Sequence, residues 1–143
     1  MAEKKSDNAL GFLAVSAGAL QRGDGLWLMH QRPLHKAHGG LWEFPGGKVE
    51  ASEKPTECLI RELREELGIA LCVDDLEPAG FAEEREATGQ LPIVILLYTV
   101  RTWKGEPRAL EGGEIGWFTR EGIDRLAKPP LDSVLAAHVF DAR

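Results

Sequence analysis

GKVEASEKPTECLIRELREELGI, residues 47–69, carries both a fold signal and a chemical one. From Ser52 the pattern is helical: Ser52 reads as the N-cap, Pro55 falls in the first turn, and Leu59, Leu63 and Leu67 recur every four residues. Gly68 stands where a C-cap belongs. On this helix Glu62, Glu65 and Glu66 are spaced i, i+3, i+4, so three carboxylates share a face distinct from the leucine stripe. Like charges at this spacing repel, a cost most readily met by a cation among them. A hard divalent ion such as Mg²⁺ takes oxygen ligands and suits a phosphate substrate. The competing reading is a solvated acidic face balanced by Arg61 and Arg64.

Upstream, GFLAVSAGAL (11–20) and LWLMHQR (26–32) read as two strands of a hairpin around the turn QRGDG. Residues 33–40 are loop-like, with His35, Lys36 and His38, and Pro45-Gly46-Gly47 should stop any regular element. Downstream, IALCV (69–73) and the continuous apolar run LPIVILLYTVRTW (91–103) are strand candidates, the second buried on both faces. A charged, turn-rich segment with Glu83, Glu84 and Glu86 lies between them. IGWF (115–118) reads as a short strand and 120–127 as a short helix. After Pro129-Pro130, LDSVLAAHVFDA (131–142) is an amphipathic C-terminal helix. Residues 1–8 read as a polar tail, and 9–143 as one domain of α/β or α+β class.

Composition narrows the function classes. With 23 acidic against 17 basic residues the net charge is −6, which argues against broad binding to a nucleic-acid backbone. A small anionic substrate stays open, because a bound cation reverses the local field. The apolar share of 43% and charged share of 28% are those of an ordinary globular chain. No run reaches the ~18 apolar residues that span a bilayer, and the polar start has no secretory character, so a cytoplasmic protein without membrane contact is expected. Cys58 and Cys72 are too few for a disulfide framework and read as small buried thiols. Trp27, Trp42, Trp103 and Trp117 read as core and rim packing.

Gly47, Glu53, Arg61, Glu62, Leu63, Glu65, Glu66, Gly68 and Ile69 match every specified position of the Nudix box, residues 47–69. Such a match arises by chance on the order of 10⁻⁹ per start position at average residue usage. LWEFPGGKVE (41–50), WKGEP (103–107), EGGEIGWF (111–118) and PPLD (129–132) also resemble stretches of the MutT branch, in the same order. The resemblance implies a Nudix α/β/α sandwich, with the box as loop–helix–loop. It implies Mg²⁺-dependent hydrolysis (Mn²⁺ as substitute) of a nucleoside triphosphate to monophosphate and pyrophosphate. By the same resemblance Glu62, Glu65 and Glu66 bind metal with the Gly46 carbonyl and Glu111, with Glu114 as fallback. Glu62, then Glu65, is the expected general base. Glu53 and Arg61 would pair structurally, and Gly47 and Gly68 would serve turns. Arg32 matches an arginine that contacts substrate phosphate, with Glu43 and Phe44 bordering the cleft. A monomer or homodimer is expected.

Asp132 stands where the MutT branch carries an asparagine that reads an oxidised guanine. An ionised carboxylate only accepts hydrogen bonds, so Asp132 favours a base edge presenting donors, such as cytosine N4 or the guanine N1–H and N2–H. The alternative is that Asp132 caps the C-terminal helix. Three functions follow: a hydrolase that removes 8-oxo-dGTP from the nucleotide pool, a CTP or dCTP pyrophosphohydrolase, or a nucleotide-binding regulatory module without catalysis. Intact metal glutamates disfavour the third.

Overall fold

The computed structural model describes residues 11–86, 89 and 91–141; the expected tail over 1–8, and Ala142 at the end of the expected last helix, lie outside them. In chain order the elements are β1 (Leu13–Leu20), β2 (Trp27–Gln31), β3 (Trp42–Glu43), β4 (Gly46–Lys48), α1 (Pro55–Leu67), a 3₁₀ turn (Val73–Asp75), β5 (Leu76–Glu83), β6 (Ile93–Val100), β7 (Glu114–Phe118), α2 (Arg120–Arg125) and α3 (Pro130–Asp141). Two sheets form, ordered β4-β1-β6-β5 and β3-β2-β7. The β1–β6 pair is parallel and the other pairs are antiparallel.

Side chains of successive strand residues point to opposite faces, and that alternation builds two cores. Leu20, Leu28 and Val100 pack with Leu59, Leu63 and Leu67 of α1 on one side. Ala17, Ala19, Trp27, Met29 and Leu97 pack with Leu135, Ala136, Val139 and Phe140 of α3 on the other. The sheets thus lie between helices, a mixed α/β sandwich, and β6 is buried on both faces as its apolar run predicts. Within the packing, Trp27 meets Phe140 edge-on at 5.2 Å, and Trp103 stacks on Trp117 at 6.1 Å. Cys58 is buried.

Several local expectations are corrected. Strands β1 and β2 belong to different sheets, and among the described residues they share only an isolated bridge at Gln21–Trp27. Gly46 and Gly47 do not end regular structure but form β4 opposite Ala17 and Ser16, since absent side chains let the two backbones close up. Helix α1 is capped at Lys54, not Ser52, which has φ 68°. Pro55 presets the first helical φ, and Glu57 Oε1 accepts from the Lys54 N–H at 2.8 Å. Gly68 ends the helix in the left-handed conformation, its N–H donating to the Arg64 carbonyl at 3.0 Å.

The expected strand over 69–73 shrinks to a bridge between Ala70 and Lys104, and Cys72 is exposed rather than buried. Strand β5 was hidden by its composition. Its Pro78 and Gly80 flank a bulge that breaks the alternation, and β5 is an edge strand, where proline is tolerated.

Candidate active site

Three segments meet at one end of the sandwich: β4 with α1, the β2–β3 pair, and the loop before β7. Arg61 organises the first. Its Nε donates to Glu53 Oε2 at 2.7 Å and its Nη2 to Glu53 Oε1 at 3.0 Å. The same guanidinium donates to Glu62 Oε2 at 3.0 Å and to the Lys48 carbonyl at 3.1 Å. This forked pairing ties the loop to the helix and holds the Glu53 carboxyl below its ordinary range. Glu62 lies over Gly47, where a Cβ would fall on its carboxylate.

Glu66 is half-buried. Burial, then a hydrogen bond with Glu62 and the negative charges of Glu62, Glu43 and Glu111, raise its carboxyl to about 9. Those four carboxyl groups therefore share one field. Glu65 does not join them: its side chain is 50% exposed and faces Arg61 at 3.5 Å. Among the described residues no three acidic, histidine or cysteine side chains form a finished metal cage. The donor set nonetheless fits a hard divalent cation. It is made of oxygens, and a cation would offset the burial and crowding that raise the proton affinity of Glu66. Of the two loop candidates, Glu111 acts on Glu66, while Glu114 is paired in β7 opposite Gln31.

The loop carrying Glu111 is docked on the helix by its backbone: the Arg108 N–H reaches the Leu67 carbonyl at 3.1 Å, and the Leu110 N–H reaches Glu66 at 2.9 Å. On the facing strands, Arg32 Nη1 donates to both oxygens of Glu43 at 3.1 and 3.2 Å. Its Nε donates to the Ala37 carbonyl at 2.6 Å, so Arg32 also holds the 33–40 loop.

Asp132 is buried in the first turn of α3, and the buried Phe44 donates its N–H to Asp132 Oδ2 at 3.0 Å. That bond runs across the chain, so the expectation of a helix-capping role is not what the geometry gives. Burial raises the Asp132 carboxyl to about 7, opposed by the Phe44 hydrogen bond and by Arg32 and assisted by Glu43. At neutral pH it is thus divided between acceptor and donor forms.

Sequence reasoning passed over His30. Its side chain is 12% exposed, its Nε2 lies 3.0 Å from the Gly112 carbonyl, and its Nδ1 lies 3.5 Å from Glu43 Oε2. The available signal was a histidine inside the otherwise apolar start of β2.

Residues 12–138 match the NUDIX domain. The CTP pyrophosphohydrolase of Escherichia coli (strain K12) is 36% identical over 120 residues, covering 84% of this chain and 85% of that protein. The 8-oxo-dGTP diphosphatase of Haemophilus influenzae is 35% identical over 124 residues, covering 86% and 88%. A solved MutT structure, from work on the Aliivibrio salmonicida and Vibrio cholerae proteins, has a TM-score of 0.77 at 27% identity, covering 92% of this chain and 98% of that one. Among the described residues no helix is long and apolar enough to cross a membrane. With the box, the two-core sandwich and near full-length relatives in agreement, this chain belongs to the NUDIX family and is a hydrolase.

Proposed function

We propose that this chain, in the cytoplasm, hydrolyses a nucleoside triphosphate to the monophosphate and pyrophosphate. The observation that carries the reading is Glu43. Arg32 Nη1 holds its carboxylate at 3.1 Å, His30 Nδ1 lies 3.5 Å from it, and the next residue, Phe44, donates its N–H to Asp132 at 3.0 Å, so the candidate phosphate-binding and base-reading groups adjoin one short strand. Glu62, Glu66, Glu111 and the Gly46 carbonyl are the groups to hold Mg²⁺ (or Mn²⁺), with Glu65 joining them once its side chain turns from Arg61; the ion when bound would polarise phosphate oxygens and acidify water. Glu62 takes the proton from the attacking water, with Glu65 as the second candidate. The water oxygen bonds to phosphorus as the bond to the departing phosphate oxygen breaks, and pyrophosphate leaves with that electron pair. Arg32 binds a substrate phosphate through its planar guanidinium. Glu43 and Phe44 border the same cleft as Arg32, and Asp132 reads the base.

The relatives divide between a CTP pyrophosphohydrolase and 8-oxo-dGTP diphosphatases, and Asp132 is where the two readings separate. The test is a panel of triphosphates including 8-oxo-dGTP, dGTP and dCTP with Mg²⁺, scored for pyrophosphate against phosphate. Pyrophosphate from 8-oxo-dGTP well above dGTP supports the sanitising role, and equal turnover of the two sinks it. Preference for dCTP establishes the pyrimidine alternative. No release from any triphosphate overturns the proposal.

A pH series sharpens the role of Asp132. A base edge presenting donors needs the ionised form, so KM should fall as pH rises through about 7. Asp132→Asn, which cannot titrate there, should flatten that dependence and shift base preference by roughly tenfold, about 1.4 kcal/mol. Unchanged preference with an unchanged pH profile would remove Asp132 from base reading.

A further inference from the structure

The loop that carries Glu111 is pinned on two sides of that residue. On one side the Leu110 N–H donates to the carbonyl of Glu66 at 2.9 Å. On the other, the Gly112 carbonyl lies 3.0 Å from His30 Nε2. Gly112 and Gly113 both have positive φ, 98° and 74°, and a Cβ on Gly113 would run into the Gln31 carbonyl. The loop therefore lies flat on β2, where His30 is the side chain that grips it.

The other nitrogen of His30 faces Glu43, which Arg32 fixes through both carboxylate oxygens. This arrangement favours the protonated ring. Glu43 accepts and cannot donate while ionised, and a carbonyl only accepts, so both ring nitrogens are called on as donors. His30 carries a raised pKa, through Glu43 first and the Gly112 carbonyl also, in keeping with that arrangement. The Nδ1 atom is shielded from solvent and has no closer hydrogen-bond partner among the described residues. A half-buried imidazole with Nε2 on the Gly112 carbonyl and Nδ1 facing Glu43 spans the gap between strand and loop.

We propose that His30 is a positioning residue for the metal site: bridging Glu43 and the Gly112 carbonyl, it holds the Glu111 carboxylate toward Glu62 and Glu66. This rests on the assignment of Glu111 made under the proposed function. It also links Glu43, the partner of Arg32, to the loop of Glu111.

The test is direct Mn²⁺ binding to the full chain without nucleotide, followed by electron paramagnetic resonance of the free ion. His30→Ala should weaken Mn²⁺ binding by about tenfold, the size usual for a residue that orients a ligand. His30→Gln, whose amide can donate to the Gly112 carbonyl, should restore most of it. Glu111→Gln should weaken binding by itself, and adding His30→Ala to it should cost little more, because both changes remove one contribution. Wild-type Mn²⁺ affinity in His30→Ala, or a full additional loss on top of Glu111→Gln, overturns the proposal. If His30→Ala does not fold, His30→Phe, which fills the ring's space without a donor, carries the same comparison against His30→Gln. Unchanged binding in Glu111→Gln removes the assignment of Glu111 itself and, with it, this role for His30. Failure of the hydrolase reading shows separately, as absence of pyrophosphate release from the wild-type chain.

Discussion

Replacing Glu65 and Glu66 together by glutamine is expected to lower kcat/KM by ~10³-fold or more. Metal-centred charge stabilisation supplies several kcal/mol to such a transition state, and about 4 kcal/mol corresponds to ~10³ in rate. Stability should move the other way. Glu66 is a half-buried carboxyl crowded by Glu62, Glu43 and Glu111. Its folded-state proton affinity is raised, so between 4.5 and about 9 the folded chain holds a proton that the unfolded chain has released. Without added divalent ion, folding stability therefore falls as pH rises through that window. Glu66→Gln removes the titration, so it should flatten the slope and raise the melting midpoint at neutral pH by a few degrees. Mg²⁺ should raise the midpoint of the wild type and leave that of the double variant nearly unchanged. Kinetics at saturating Mg²⁺ and melting curves across pH check both halves. Survival of pyrophosphate release in the double variant would show that the acidic face of α1 is not the metal site.

Gly47→Ala and Gly46→Ala, one residue apart, should fail in different ways. A Cβ on Gly47 would land on the Glu62 carboxylate, the far end of a flexible side chain. The chain can fold by swinging Glu62 aside, which breaks its 3.0 Å contact with Arg61 and moves the proposed base. Expected is a ~10²-fold loss of kcat, the scale of a displaced general base, with a small change in melting midpoint. A Cβ on Gly46 would instead meet the Ser16 carbonyl and the Ala17 Cα, which are backbone of the neighbouring strand β1. Backbone cannot step aside without opening the β1–β4 pair, so a loss of roughly 1–3 kcal/mol or more in stability is expected. Denaturant midpoints and kcat measured on both variants separate the two. If Gly47→Ala keeps wild-type kcat, the present position of Glu62 is not required for turnover.

How much of this was legible in the sequence can be judged residue by residue. The spacing of Leu59, Leu63 and Leu67 against Glu62, Glu65 and Glu66 is set by 3.6 residues per turn, so helix, buried stripe and acidic face were readable from one window. Gly68 as the C-cap was readable for the same local reason, whereas the start was placed at Ser52, three residues before Pro55 where the helix begins. The box and its flanking segments also carried the family, because covalent order and residue type are the whole of a motif.

Nothing local could announce that β1 and β2 lie in separate sheets, or that Gly46-Gly47 is a strand. Strand pairing depends on residues far apart in the chain, such as Ala17 opposite Gly46. Strand β5 was invisible because Pro78 and Gly80 violate strand propensity, and its place at a sheet edge made them tolerable. The raised proton affinity of Glu66, the bond from Phe44 to Asp132 and the contact of His30 with Gly112 come from three-dimensional burial and from partners far along the chain, the two bonds spanning 88 and 82 positions. By itself the sequence determined the central helix, the family and the kind of donor atoms, which depend on short-range geometry and composition. Only the tertiary structure decided which carboxyl groups share a field, what holds them there, and which one keeps its proton. Those properties are set by distance and dielectric through space, and order along the chain does not encode them.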